Sequence, residues 1–119
     1  MLWHQLTDLS QIELLKKTYE EQSGLVRTVL IFKHSSRCGV SAMVLHRLES
    51  RWKDTDSMPC YFLDLLSHHD ISEAIALEFG VKHESPQVLL IKNGKCVYHQ
   101  SHNGIRAEEI VEVVKTLPG

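Results

Sequence analysis

A chain of 119 residues has room for one domain and one hydrophobic core, and its 43% apolar and 24% charged residues are ordinary for a globular protein. Thirteen Lys and Arg against fifteen Asp and Glu leave neither a basic stripe for nucleic acid nor an acidic tail. Met1-Leu2-Trp3-His4-Gln5-Leu6-Thr7-Asp8 lacks the regions of a signal peptide, and no apolar run is long enough for a bilayer, so a cytoplasmic protein without a membrane partner is expected.

Thr7 to Gln22 is predicted as a helix. Leu9, Ile12, Leu15 (or Leu14) and Tyr19 recur at helical spacing, and Ser10 with Glu13 fits a capping box, Thr7 and Asp8 being the other candidate caps. Ser23-Gly24 closes it. Thr28 to Phe32 is β-branched and apolar on both faces, as a central strand covered on each side requires. A helical pattern begins at Cys38, with Ala42, Leu45, Leu48 and Trp52 at three- and four-residue steps.

The polar loop Asp54-Thr55-Asp56-Ser57 and Pro59 lead into a second strand, Cys60 to Leu65. Asp70 and Glu73 read as another capping box, opening a short helix over Ile71 to Phe79 that Gly80 stops. Pro86 precedes a third strand, Gln87 to Ile91. Asn93-Gly94 is a tight-hairpin signal, and Lys95 to His99 returns antiparallel. Ala107 to Leu117 closes the chain as a helix with Ile110, Val111, Val114 and Leu117 inward.

A helical crossover between the first two strands makes them parallel, and the last two form an antiparallel hairpin. The expected architecture is α/β. One domain spans residues 1–119, with a central mixed four-stranded sheet and helices on both faces.

Chemistry concentrates where the first strand meets the second helix, at Phe32-Lys33-His34-Ser35-Ser36-Arg37-Cys38-Gly39-Val40-Ser41. The first N–H groups of a helix have no intrahelical partner and, with the aligned peptide dipoles, favour an anion. A thiolate at Cys38 is such an anion, and Arg37 adds a full positive charge beside it. Cys38 is therefore the candidate nucleophile. His34, four residues earlier, is placed to tune or reprotonate the thiol, or is simply a polar strand-end residue.

A dithiol oxidoreductase resolves its mixed disulfide with the second cysteine of C-x-x-C. Ser41 stands at that second position, and a hydroxyl cannot resolve a disulfide, though it can donate a hydrogen bond to the thiolate. The protein is thus expected to stop at the mixed disulfide until an external thiol frees it. Cys60 and Cys96 lie in predicted strands, where a free cysteine is a small hydrophobe. No C-x-x-C knuckle exists and no histidines share a compact spacing with a carboxylate or a second cysteine, so no metal is expected.

The element order, with a nucleophile after the first strand and a proline before the hairpin, resembles the thioredoxin fold. Phe32-Lys33-His34-Ser35-Ser36-Arg37-Cys38 with Ser41, and Glu84-Ser85-Pro86-Gln87-Val88-Leu89-Leu90-Ile91-Lys92-Asn93-Gly94-Lys95, resemble the monothiol bacilliredoxins. That family is expected to carry a proline after the cysteine, where this chain has Gly39. Cys38-Gly39-Val40-Ser41 is also similar to the C-G-F-S of monothiol glutaredoxins, which can hold iron–sulfur clusters. A cluster-binding protein and a thiol sensor that does not turn over therefore stand as alternatives.

The resemblance implies a thiol-disulfide oxidoreductase that removes bacillithiol from cysteines of oxidised proteins. Bacillithiol is then the co-substrate and nothing is tightly bound; the partners are bacillithiol-modified clients and a low-molecular-weight thiol. It also implies a cis Ser85–Pro86 bond facing the nucleophile, with the Ser85 backbone pairing with substrate. By similarity to glutaredoxin-type sites, Asn103-Gly104 would grip the malate carboxylates of bacillithiol through backbone N–H groups together with Arg37, or form an ordinary turn and helix cap. Ser36 and Gly39, beside the cysteine, complete the implied substrate-binding set.

Overall fold

In the computed structural model, which describes residues 1–16, 19–20, 25–26, 28–52 and 58–117, the apolar run beginning at Thr28 is the middle of a sheet. The elements in order are β1 (Trp3–Gln5), α1 (Gln11–Lys16), β2 (Tyr19–Glu20), β3 (Leu25–Val26), β4 (Thr28–His34), α2 (Gly39–Arg51), β5 (Cys60–Asp64) and α3 (His69–Phe79), followed by β6 (Gln87–Lys92), β7 (Lys95–Ser101), a 3-10 turn (His102–Gly104) and α4 (Ala107–Thr116). The main sheet has the order β1-β5-β4-β6-β7. β1, β5 and β4 run parallel, while β6 and β7 are antiparallel to their neighbours.

Residues Val29 to Lys33 of β4 and Gln87 to Ile91 of β6 are all buried, as a strand covered on both faces must be. One face carries Val29, Ile31, Leu89 and Ile91, and packs on Ile12 and Leu15 of α1 and Ile71 and Ile75 of α3. The other carries Leu30, Phe32, Val88 and Leu90, and packs on Val44 and Leu48 of α2 and Ile110 of α4. Asn93 (φ 54°) and Gly94 (φ 73°) take the doubly left-handed turn that matches strand twist in a two-residue hairpin.

The sheet has five strands where the sequence pattern predicts four. β1 is short and lies at the edge, with Trp3 half-buried and His4 and Gln5 exposed, so it offers no apolar alternation to read. The first helix is also shorter than its periodicity. It spans Gln11–Lys16, and Tyr19–Glu20 instead pair antiparallel with Leu25–Val26. The rest of the expected helix end, Gln22 with Ser23-Gly24, and the polar loop Asp54 to Ser57 lie outside the described residues.

The caps differ too. Asp8 accepts from the Ser10 N–H at 2.9 Å, and Gln11 Oε1 accepts from the N–H groups of Thr7 and Asp8 at 2.7 and 2.9 Å. Asp8, one of the candidate caps, therefore caps the helix reciprocally with Gln11 in place of Ser10 with Glu13. α3 begins at His69, with Asp70 inside its first turn and Glu73 3.5 Å from His69 rather than capping. Gly80 (φ 65°) ends it as predicted, its N–H reaching Ala76 O. On α2 the inward residues are Ser41, Val44 and Leu48, while Ala42 is exposed.

Topology gathers the loops. The C-terminal ends of β4 and β5 share one end of the sheet with the start of β6 and the end of β7, as His34 opposite Asp64, Lys33 opposite Gln87, and Gln87 opposite Ser101 require.

Candidate active site

β4 ends at His34, and the chain turns through Ser35, Ser36 and Arg37 into α2. The turn is closed by the Cys38 N–H donating to Ser35 O at 3.1 Å. Cys38 is the N-cap of α2, with extended backbone (φ −105°, ψ 116°), and its carbonyl accepts the Ala42 N–H at 3.1 Å. The half-buried thiol lies at the helix start and makes no capping hydrogen bond. Ser36, Arg37 and Gly39 are exposed around it. A Cβ added at Gly39 would meet nothing within 4 Å.

Ser41 does not lie where the sequence reading puts it. It is fully buried, and its Oγ accepts the Ser35 N–H at 3.1 Å and sits 2.7 Å from His34 Nδ1. The hydroxyl engages His34 rather than the thiolate. The reason is helical phase: Ser41 is on the inward face of α2 with Val44 and Leu48. His34 is packed among aromatic rings, 6.1 Å from Phe32 and 5.3 Å from Phe62 between centroids. Burial pushes its imidazole pKa below the usual value, against the opposing pull of Asp64 and Glu49.

The Ser85–Pro86 bond is cis. β6 starts at the next residue, opposite Lys33, so this segment lies at the same sheet end as His34 and the Cys38 turn. Ser85 Oγ is buried with no hydrogen-bond partner among the described residues. The His102 N–H donates to Pro86 O at 2.9 Å, which fixes the 102–104 corner against the proline. His102 itself is left-handed (φ 55°), and its Nδ1 is 3.5 Å from Glu84 Oε2, an ion pair when the imidazole is protonated.

Asn103 and Gly104 occupy that corner. A Cβ at Gly104 would come within 2.7 Å of the Gln100 side chain and displace it. Arg47 of α2 ties the corner down, its guanidinium donating to Asn103 O at 3.2 Å and Ile105 O at 2.8 Å. The helix that carries Cys38 therefore also holds the corner expected to bind carboxylates. Arg47, which holds this corner in place, is a residue the sequence does not single out.

Lys33 is the second omission. It is wholly buried, 3.4 Å from His83 Nδ1, and burial lowers its pKa to about 8. Alternation with Val29 and Ile31 was the available signal, since residues two apart on a strand share a face. Cys60 and Cys96 lie in β5 and β7, the strands in which the sequence places them. Cys60 is buried with its Sγ 3.5 Å from Met58 O, and burial pushes the Cys96 thiol up. Among the described residues no group of three or more His, Cys, Asp or Glu is placed to hold a metal ion, and no helix is long and apolar enough to cross a membrane.

A family model described as monothiol bacilliredoxin BrxC matches residues 4–110. Among solved structures, a candidate oxidoreductase with a thioredoxin fold is 27% identical, with a TM-score of 0.74 over 94% of this chain and 93% of its own. Thioredoxin from Malassezia sympodialis is 18% identical, with a TM-score of 0.65 over 97% of this chain and 89% of its own. Thioredoxin f2 from Chlamydomonas reinhardtii is 12% identical, with a TM-score of 0.68 over 99% and 100%. At such identities the thioredoxins establish the fold.

Proposed function

The chain belongs to the monothiol bacilliredoxin family, which with its thioredoxin-like fold gives it a thiol redox role, and from that premise we propose that it removes bacillithiol from mixed disulfides on protein cysteines. The observation that carries this reading is a single half-buried cysteine capping a helix with no cysteine at the C-x-x-C partner position. The Cys38 thiolate attacks the bacillithiol sulfur of the client disulfide. The client thiolate leaves and is protonated, and bacillithiol remains joined to Cys38. A second low-molecular-weight thiolate, or a partner reductase, then attacks that disulfide and releases Cys38 as thiolate.

Each surrounding group has a part in this reading. Arg37 and the first N–H groups of α2 present positive charge and hydrogen-bond donors at the end of the helix where the sulfur attacks and leaves. Ser85 and Pro86 line the approach of the client segment. Asn103 and Gly104, steadied by Arg47, receive the carboxylates of the malate group, with Ser36 and Gly39 bordering the sulfur.

Replacing Cys38 with alanine tests the reading. A bacillithiol-modified client incubated with Cys38→Ala should keep its modification, while the unaltered protein removes it. Retained turnover in the variant would move the chemistry to Cys60 or Cys96.

A further inference from the structure

The serine at the resolving position has a task of its own, one that deepens the oxidoreductase reading and rests on it for its kinetic consequence. The buried Ser41 hydroxyl has one hydrogen and two lone pairs. The Ser35 N–H, 3.1 Å away, takes one lone pair. His34 Nδ1, at 2.7 Å, is the only acceptor the hydroxyl meets among the described residues. Were Nδ1 to carry the ring proton, Oγ would accept twice and its own hydrogen would be buried without an acceptor, which is the unfavourable arrangement.

The neutral ring, favoured by its packing against Phe32 and Phe62, therefore holds its proton on Nε2. Asp64 and Glu49 are the charged groups acting on it. Phe32 and Phe62 restrict the ring plane, and the Nδ1 bond fixes which edge turns away from Ser41.

We propose that Ser41 is a positioning residue that holds His34 as the Nε2–H tautomer, so that the imidazole presents a neutral N–H donor at the end of β4, where the chain turns into the Cys38 loop. A neutral imidazole donates only a hydrogen bond; the proton that finally neutralises the client thiol comes from water. Ser41 is thereby more than an absent cysteine. It replaces the resolving thiol with the group that orients the neighbouring histidine.

Nitrogen-15 NMR of the labelled, reduced protein at neutral pH reads the tautomer directly. The expected spectrum has an unprotonated Nδ1 and a protonated Nε2 at His34, and Ser41→Ala should move the ring toward a mixture of tautomers. An Nδ1–H ring in the unaltered protein overturns the proposal, and so does an unchanged ring in a folded Ser41→Ala variant. In transfer assays Ser41→Ala and His34→Ala should each lose about tenfold in rate, the worth of one hydrogen bond to a charged group, and the double variant should lose no more than His34→Ala. Fully additive losses contradict the coupling. Absence of transfer by the unaltered protein would refute the bacillithiol reading while leaving the tautomer to be decided by the spectrum.

Discussion

At the scale of the residue, the site shows which features a sequence carries and which it hides. His34 and Ser41 are close along the chain, so the turn between strand and helix brings them together, with Cys38 between them at the helix start. What Ser41 touches was not legible. It depends on the phase of α2, which turns Ser41 inward and leaves Ala42 exposed. Arg47 was hidden for another reason: its partners are backbone carbonyls 56 and 58 residues away, and carbonyls leave no trace in a sequence. Lys33 yields a prediction of its own. Burial holds its folded pKa near 8 against an ordinary 10.5, so between those values the unfolded chain binds more protons than the native one. Stability from this group therefore rises as pH climbs from about 8 to 10.5, and the full penalty, about 3 kcal/mol, applies below that window. Lys33→Met should unfold at higher denaturant than the unaltered protein at neutral pH and lack the alkaline rise. A loss of stability in this variant would mean that the ammonium supports the fold through its contact with His83.

At the scale of the element, long apolar strands were legible and short edge pieces were not. β4 and β6 are buried on both faces and stand out as solid apolar runs. β1 is three residues of mixed polarity, and the two-residue pair β2–β3 interrupts what periodicity alone extends as helix. Pairing with another segment decided those cases, and pairing is not a local property. The start of α2 carries the second prediction. Gly39 is the first helical residue, its Cβ position opens on free space, and Cys38 before it has the extended backbone that a following proline demands. Gly39→Pro, the residue expected at this place in the family, should therefore raise stability by about 0.4–1 kcal/mol, chiefly by restricting the unfolded chain. Thermal unfolding measures it. A lower midpoint would show that the Gly39 N–H is needed at the helix start. The acid limb belongs here as well, since His34 and His83 link separate elements. Burial lowers both pKa values, so their contribution to stability is complete above about pH 6.5 and falls away as the solution is acidified below it.

At the scale of the whole molecule, one sheet end collects four loops that are distant in sequence. The cysteine turn follows β4, the loop after β5 hydrogen-bonds to His34 O through the Leu65 N–H, the cis-proline precedes β6, and the 102–104 corner follows β7. That convergence was legible in outline, because the strand order and the hairpin fix which ends meet. The contacts that lock it, His102 N–H to Pro86 O and Arg47 to the corner, follow only from the folded backbone. In the proposed reaction Cys38 takes bacillithiol from a client and holds it. Its most direct test is the intact mass of the reduced protein after a single round with a bacillithiol-modified client, followed by mapping of the modified residue. The client should lose the adduct and the same mass should appear on Cys38. A client that stays modified, or an adduct found on Cys60 or Cys96 instead, would contradict it.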